Sequence, residues 1–299
     1  MKYTLFKYIA AVAAVVCGLS SCNSDAKEEA ESAVAKGLRI GVTPTFDCLP
    51  LVVAERTGVL KAVGLEVNIQ TFKSHLDIDT ALAGGSIAAG FSENIRIKRL
   101  QELPAKRGGV KDPNISLVAM QHDNLDWLLI ANIKQRIVKV EQLKDHIVGV
   151  TRHSATELLG QTLLDSAKLS DQQAFMIPIN DISLRMSMLM SAEIDAAWLP
   201  QPQASQAKYL GHKVLASSRA SRNDTYGVFV VRTLNAKVKN NKALTLSQEQ
   251  TEKLRKAYNM GCDSLNKRGI EHYETLIKQT YGITDKEFKA LGKHRFRHL

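Results

Sequence analysis

Short apolar runs of strand type alternate with segments of helical length along most of this chain, and this alternation constrains its fold more than any other feature. Strands are predicted over residues 37–42, 65–72, 87–91 and 115–120, and helices over residues 51–58 and 78–82. Strands that are separated by helical crossovers form a mostly parallel sheet with both faces covered. We therefore predict an α/β fold.

The same pattern begins again after residue 122 and predicts a second sheet. Its strands are predicted over residues 127–132, 147–150, 174–179 and 196–199, and its helices over residues 154–167 and 182–190. A later strand over residues 226–231 precedes helices over residues 247–267 and 271–281. Open α/β sheets bind ligands outside the carboxyl ends of their strands. Two such sheets that face each other would therefore bind one ligand in the crevice between them.

The beginning of the chain has the order of charged and apolar residues that is typical of a bacterial secretion signal. Lys2 and Lys7 precede an apolar run over residues 8–19, which is shorter than the roughly 20 residues that a bilayer span needs. The run ends in Leu19-Ser-Ser-Cys22, which resembles a lipobox. We predict a lipoprotein signal peptide over residues 1–21 and attachment of lipid, such as palmitate, to Cys22. An ordinary signal peptide followed by a chance cysteine is the alternative, since both cleavages need small residues.

Composition and motifs narrow the function of the remaining residues. Residues 22–36 are acidic and have no aromatic residue, which predicts a flexible tether to the cell envelope, periplasmic or surface-facing. The net charge of +10 is spread along the chain, and a basic C-terminal end on an exported protein is better explained by solvation than by nucleic-acid binding. Only Cys48 and Cys262 remain in the body, which is not a disulfide framework and leaves open whether the two pair. Since no Cys-x-x-Cys or acidic EF-hand pattern is present, no metal site or cofactor is expected.

Enzyme motifs are not found. His153 next to Ser154 does not form a triad, because neighbours on one loop rarely face each other, and there is no Gly-x-Ser-x-Gly turn. The run over residues 83–86 has the glycines of a phosphate loop without its Lys-Ser/Thr ending. The sequence therefore favours a binding protein over an enzyme.

Several segments, taken in order, carry a resemblance to a known family. Residues 38–44, 49–67 and 79–91 resemble the periplasmic substrate-binding proteins of ABC importers, in the subgroup for nitrate, aliphatic sulfonates and the pyrimidine precursor of thiamine. Residues 137–150 and 190–200 resemble the second lobe of that family, and the whole resemblance extends over residues 38–231. Ala88 departs from the family pattern, which usually has an acidic residue there.

The resemblance implies a type II periplasmic-binding-protein fold, with two doubly wound lobes joined by a two-strand hinge. It implies a first lobe over residues 37–122 and 224–299, a second lobe over residues 123–223, and closure of both on a ligand. It also implies a monomeric receptor that delivers its ligand to an ABC permease in the membrane. Relatives that synthesise the thiamine pyrimidine carry a cysteine-rich run that this sequence lacks. An enzyme or a ligand-sensing domain on the same fold is the alternative from another class.

The loops at the predicted strand ends supply the candidate ligand-binding residues. In the first lobe these are Thr45, Phe46, Asp47, Ser92, Glu93 and Asn94. In the second lobe they are Thr151, His153, Ser154, Ala155, Thr156, Asn180, Asp181, Trp198 and Gln201.

The chemistry of these residues predicts a small, polar, nitrogen-bearing ligand. Asp47 and Glu93 would accept charge-assisted hydrogen bonds from it, and Phe46 would stack on a planar ring. Backbone amides at the helix start near Ser154 would hold an anionic group. Helix capping is the alternative role for all three polar residues, and core or hinge packing is the alternative for Trp198. An aminopyrimidine thiamine precursor or a zwitterion fits this charge split, whereas two carboxylates would repel nitrate or an alkanesulfonate.

Overall fold

Two five-stranded sheets organise the part of the chain that the computed structural model describes, which comprises residues 37–122, 125–170, 172–220, 224–234 and 244–299. The predicted signal peptide, Cys22 and the tether lie outside these residues. The first sheet has the order β2-β1-β3-β10-β4, with β1 Leu38–Val42, β2 Val67–Thr71, β3 Ala89–Glu93, β4 Ile115–His122 and β10 Gly227–Leu234. The second has the order β7-β6-β8-β5-β9, with β5 Trp127–Ala131, β6 Ile147–Val150, β7 Phe175–Pro178, β8 Ala196–Pro200 and β9 Lys213–Ser217.

Helices cover both faces of each sheet, so the predicted α/β fold with two lobes is confirmed. The first lobe has α1 Leu49–Arg56, α2 Val59–Ala62, α3 His75–Gly84 and α4 Asn94–Glu102. The second lobe has α5 Ala155–Ser166, α6 Ile182–Ser191 and α7 Gln203–Tyr209. After β10 follow α8 Gln248–Arg268, α9 Glu274–Tyr281 and α10 Asp285–Lys289, which pack on the first lobe. None of the helices among the described residues is long and apolar enough to cross a membrane.

One strand in each sheet runs against the other four, so each sheet is mixed but mostly parallel, as predicted. The reversed strands are β10, antiparallel to β3 and β4, and β5, antiparallel to β8 and β9. The parallel strands end at the cleft, and the chain crosses from β4 to β5 and from β9 to β10 at the same edge. A strand that starts at the cleft must run away from it, so the first strand after each crossing is reversed.

The apolar core divides into one cluster on each face of each sheet. Ile40, Phe91 and Phe229 pack with α1 and α8 on one face of the first sheet, and Ile78, Leu117 and Val230 pack with α3 and α4 on the other. In the second sheet, α5 covers one face and α6 with α7 covers the other. The cleft loops therefore extend from strands that are packed on both faces.

Sequence periodicity did not predict α4, α7 or β9. The helix α4 has the sequence NIRIKRLQE, in which charged residues leave only three buried positions, Arg96, Ile97 and Leu100. The strand β9 lies at a sheet edge and has no fully buried residue. Because apolar spacing is the main sequence signal for secondary structure, it does not reveal elements with little buried apolar surface.

The contact between α8 and α1 gives a stability prediction. A Cβ atom on Gly261 would lie 2.1 Å from the Pro50 carbonyl oxygen, whereas one on Gly84, the last residue of α3, would meet nothing within 4 Å. We expect Gly261→Ala to lower the free energy of unfolding by about 1–3 kcal/mol through overpacking. We expect Gly84→Ala to change it by less than about 1 kcal/mol. Urea denaturation of both variants checks this, and equal effects would contradict the close helix packing.

Candidate functional site

The loops at the carboxyl ends of the parallel strands face each other and form hydrogen bonds between the lobes. The Phe46 amide donates to the Gln201 carbonyl at 2.9 Å, and the Gln203 side chain donates to the Pro44 carbonyl at 2.8 Å. The Ile182 amide donates to the Lys73 carbonyl at 3.1 Å. The structure is therefore that of a closed cleft, in which the two lobes are in direct contact.

Arg96 joins the lobes through charged and polar contacts. Its guanidinium is buried, lies 2.7 Å from an Asp79 carboxylate oxygen, and donates to the Arg152 carbonyl of the second lobe at 2.6 Å. The other Asp79 oxygen accepts a hydrogen bond from Ser92 at 2.7 Å. Burial raises the pKa of Asp79, although the charge of Arg96 and the Ser92 hydrogen bond oppose this rise. The arginine is thereby held across the cleft at a fixed position.

Glu93 ends β3 and reaches across the cleft to the beginning of α5. Its Oε2 accepts a 2.5 Å hydrogen bond from the Ala155 amide, while Ser154 Oγ accepts from the amides of Thr156 and Glu157. Ser154 thus caps the helix as its sequence position predicts. These three amides of the first turn are satisfied within the protein, so none of them is free for a ligand anion.

A histidine lies between the two cleft carboxylates that the sequence singles out. His75 Nδ1 is 3.5 Å from Glu93 Oε1, and His75 Nε2 is 4.0 Å from Asp47 Oδ2 and 3.3 Å from Thr43 Oγ1. His122 Nε2 also lies 4.0 Å from Asp47 Oδ2. Burial alone would raise the pKa of Glu93, but His75, Arg96 and the Ala155 amide lower it overall. Glu93 is therefore ionised in the closed cleft near neutral pH.

Buried polar atoms without a hydrogen-bond partner mark the centre of the site. In the first lobe they include the acceptors Asp47 Oδ2 and Glu93 Oε1, the latter at ion-pair distance from His75 without a well-formed hydrogen bond, and the donor Arg96 Nε. In the second lobe they include the donors Trp127 Nε1 and Arg185 Nε and Nη2 and the acceptor Gln203 Oε1. Unpartnered buried polar atoms are rare because each costs about 1–3 kcal/mol, so a group of them needs an explanation.

Arg185 is fully buried beneath the second-lobe side of the cleft. Its Nη1 donates to Thr151 Oγ1 at 2.6 Å and to the Ile179 carbonyl at 2.7 Å, and its guanidinium carbon lies 5.6 Å from the centre of the Trp127 ring. Burial lowers the pKa of Arg185 to about 10, although Glu93 and Asp181 oppose this shift. The Trp127 ring in turn meets His75 edge to face, with ring centres 6.1 Å apart. A continuous set of contacts therefore links Arg185 to the cleft acids.

A chamber of about 360 Å³ adjoins this cluster near the crossings between the lobes. His122, Trp127 and Ala155, which contact Asp47, His75 and Glu93 respectively, form part of its wall. Arg219, Tyr226 and Arg297 line it as well. We call this space the hinge chamber. It has the size and the mixed polar lining of a small-molecule site.

The structure brings together eight of the predicted site residues. Thr45, Asp47, Ser92, Glu93, Thr151, Ser154, Ala155 and Thr156 are all buried in the interlobe contact region. Most of them form hydrogen bonds within the protein. The Thr45 and Thr43 hydroxyls are 2.7 Å apart, and the Thr156 hydroxyl accepts from the Thr151 amide at 3.0 Å. His153 lies at the edge of this region and donates its amide to Glu157.

The other predicted residues have structural contacts. Phe46 packs edge to face on Tyr281 and His294, with ring centres 5.3 and 4.9 Å away, inside the first-lobe core. The Asn94 side chain forms hydrogen bonds with the backbone just before β10. The Asn180 side chain accepts a hydrogen bond from the Arg152 amide. Asp181 caps α6 and lies 3.7 Å from Lys73 across the cleft. Trp198 is buried in the second-lobe core, and Gln201 binds Ser205.

Six residues of the cluster were not selected from the sequence. They are His75, Asp79, Arg96, His122, Trp127 and Arg185. His122 ends β4, so the strand-end rule would have found it. Arg96 and Arg185 lie on helices, where an arginine in the sequence indicates a solvated face, and nothing local signals that they are buried. Among the described residues, no three His, Cys, Asp or Glu side chains are grouped to hold a metal ion, and Cys48 and Cys262 are both free thiols.

Comparisons with known proteins agree with this architecture. The model of the NMT1-like family matches residues 31–260. The alkanesulfonate-binding protein SsuA from Xanthomonas axonopodis pv. citri, bound to MOPS, superposes with a TM-score of 0.64 at 16% identity, over 85% of this chain and 82% of that one. No curated protein sequence matches significantly.

Two further solved structures share the fold. The ligand-binding component of an ABC-type import system from Staphylococcus aureus has a TM-score of 0.65 at 15% identity, over 88% of this chain and 85% of that one. The periplasmic nitrate-binding protein NrtA from Synechocystis has a TM-score of 0.65 at 12% identity, over 85% of this chain and 68% of that one. The chain therefore belongs to the NMT1-like family and has the two-lobed fold of the periplasmic binding proteins.

Proposed function

We propose that this protein is an extracytoplasmic solute-binding component of an ABC importer and that its ligand is small, polar and nitrogen-bearing, of the class of the thiamine pyrimidine precursor. The observation that carries the ligand proposal is the pair of buried, unpartnered carboxylate oxygens, Asp47 Oδ2 and Glu93 Oε1. The fold and the names of its structural neighbours support the importer part of the proposal.

The first lobe offers hydrogen-bond acceptors with negative charge. Asp47 is 2% exposed, and the nearest ring nitrogens of His75 and His122 are 4.0 Å from its Oδ2, too far for a hydrogen bond. An amino group or a protonated ring nitrogen would satisfy this oxygen. Such charge-assisted hydrogen bonds are about twice as strong as neutral ones.

The second lobe offers donors, so the ligand also needs acceptors. Trp127 Nε1 and two nitrogens of Arg185 are buried without partners, and the Trp127 ring offers a flat surface beside His75. An aminopyrimidine has exocyclic amino donors and ring-nitrogen acceptors in one plane. It would therefore satisfy both lobes at once.

Closure couples ligand binding to recognition by a permease. The interlobe contacts of Phe46, Arg96 and Lys73 are made by the protein alone. A ligand that contacts both lobes would add to these contacts and shift the population toward the closed form, which a permease then distinguishes from the open one.

An anion such as nitrate or an alkanesulfonate is the second candidate ligand. Arg185 favours it, since two of its nitrogens are unpartnered. Glu93 opposes it, because its carboxylate already occupies the Ala155 amide at the helix start. An anion at that position would have to displace Glu93 or share the cleft with it at a repulsive cost.

We also propose that the protein is lipid-anchored through Cys22, on the basis of the Leu19-Ser-Ser-Cys22 sequence after the apolar run. The acidic segment over residues 22–36 would then act as a tether that keeps the two-lobed body near the membrane. The boundaries proposed for the lobes are residues 37–122 with 224–299, and residues 123–223.

The first test of the ligand is a thermal-shift screen with aminopyrimidines, thiamine, amino acids, alkanesulfonates and nitrate. A ligand at 100 times its dissociation constant should stabilise the folded protein by about 2.7 kcal/mol, a rise in Tm of several degrees. We expect an aminopyrimidine to give this shift and Asp47→Asn to abolish it. Glu55→Gln, which removes a charge from an exposed first-lobe position, is the matched control and should keep the full shift. If no aminopyrimidine raised the Tm, the proposed ligand class would be contradicted.

Glu93→Gln separates the two candidate ligands by the sign of its effect. The variant keeps the size of the side chain but removes the negative charge beside the α5 start. The affinity for an aminopyrimidine should therefore fall by about tenfold, which corresponds to the loss of one charge-assisted hydrogen bond. Isothermal titration calorimetry measures this. A gain in affinity for nitrate or an alkanesulfonate, with no binding of an aminopyrimidine by the wild type, would favour the anion.

The lipid anchor is tested by Cys22→Ser. We expect the wild type in the membrane fraction with incorporated labelled palmitate, and the variant unlabelled and in the soluble fraction, because one acyl chain contributes about 0.8 kcal/mol per buried CH₂. Cys48→Ser, which changes a cysteine that is buried in the body, should keep the label. Labelling of the Cys22 variant would show that the acylated residue lies elsewhere.

A further inference from the structure

A second chamber, of about 220 Å³, is lined by three arginines on the first lobe and one histidine on the second. The arginines are Arg96, Arg99 and Arg107, and the histidine is His153. We call this space the arginine chamber. It shares no lining residue with the hinge chamber, so the two spaces are separate.

We propose that the arginine chamber binds an oxyanion of the phosphate class, at a site distinct from the cleft ligand. The planar guanidinium presents two parallel N–H groups to two oxygens, which is why arginine predominates where phosphate is recognised. Three guanidinium groups around a space of this size are suited to a small oxyanion or to the head of a phosphate monoester.

Arg96 supplies the buried part of the site. It is 3% exposed; its Nη1 donates to the Arg152 and His153 carbonyls at 2.6 and 3.3 Å, and its Nη2 lies 2.7 Å from Asp79. Its Nε, by contrast, is buried and has no partner. An oxyanion in the chamber would provide the missing acceptor.

Asp79 is the one carboxylate that lines the chamber, and of the three arginines it pairs with Arg96 alone. One of its oxygens is engaged by Arg96 and the other by Ser92. Arg99 and Arg107 line the chamber and are exposed to solvent. Neither forms an ion pair with any residue that the structure describes. At least two positive charges are therefore available to an anion.

The electrostatic environment of His153 supports an excess of positive charge. Burial lowers the pKa of His153, and the neighbouring cations Arg99, Arg152 and Arg96 lower it further, against the opposing effect of Glu157. A bound oxyanion would lie between α4 of the first lobe and His153 of the second. It would therefore stabilise the closed arrangement, independently of what binds in the hinge chamber.

The test is calorimetric titration of the purified full-length protein with inorganic phosphate in a buffer of low chloride concentration. The variant pair is Arg99→Gln/Arg107→Gln against Lys98→Gln/Lys106→Gln. Both double variants lose two positive charges at adjacent positions, but Lys98 and Lys106 do not line the chamber. We expect saturable binding by the wild type, at least tenfold weaker binding by the arginine variant, and a change of less than twofold in the lysine variant.

The source of the oxyanion is distinguished by a second arm, in which the same proteins are sedimented with vesicles of phosphatidylglycerol and phosphatidylcholine. Vesicle binding that depends on Arg99 and Arg107, without binding of free phosphate, would support the site and assign the oxyanion to lipid. The proposal would be overturned if both double variants lost phosphate affinity equally, or if neither phosphate nor vesicles bound saturably.

Asp47→Asn separates this proposal from the proposed function. The substitution removes a cleft carboxylate that does not line the arginine chamber, so phosphate affinity should change less than twofold. A clear gain in phosphate affinity in Asp47→Asn, from removal of a repelling carboxylate, would place the anion in the cleft and overturn the arginine chamber. Failure of the aminopyrimidine screen would leave this measurement unaffected.

Discussion

The carboxylate of Glu93 lies at the end of a first-lobe strand and accepts a hydrogen bond from the first amide of a second-lobe helix. This single contact couples the two sheets at the point where both present their strand ends. It also determines the polarity of the cleft, because the positive end of α5 is neutralised by the protein itself. His75 then lies beside Glu93, and Asp47 beside His75, so the remaining charges of the site are arranged around this one carboxylate.

The buried charges of the cleft are close to balanced. Asp47, Asp79 and Glu93 carry the negative charges, Arg96 and Arg185 carry the positive ones, and His75 and His122 lie between. A cluster of this kind is stable only if most of its atoms are hydrogen-bonded, since breaking a buried pair costs several kcal/mol. The buried atoms that lack partners include two acceptors on the first lobe, Asp47 Oδ2 and Glu93 Oε1, and donors of Trp127 and Arg185 on the second. The ligand proposed above, which carries both donors and acceptors, rests on these atoms.

The crossings between the lobes explain why the site lies where it does. Both reversed strands, β5 and β10, begin at the cleft edge, so His122 and Trp127 flank one crossing and enter the wall of the hinge chamber. The parallel strands bring the polar loops to the same edge from the other direction. The hinge chamber and the arginine chamber share no lining residue, so they are separate spaces in this closed arrangement.

The sequence by itself determined the α/β class, the two sheets and the position of most strands, because apolar periodicity reports directly which side chains are buried against a sheet. It also placed Asp47, Glu93 and Ser154 where the lobes meet, because residues at strand ends and helix starts face the crevice in a fold of this kind. Only the tertiary structure decided that Glu93 caps α5 in the other lobe, that Phe46 lies in the core, and that Arg96 and Arg185 are buried. These outcomes depend on contacts between residues that are distant in the chain, and the periodicity of a local segment carries no information about such contacts.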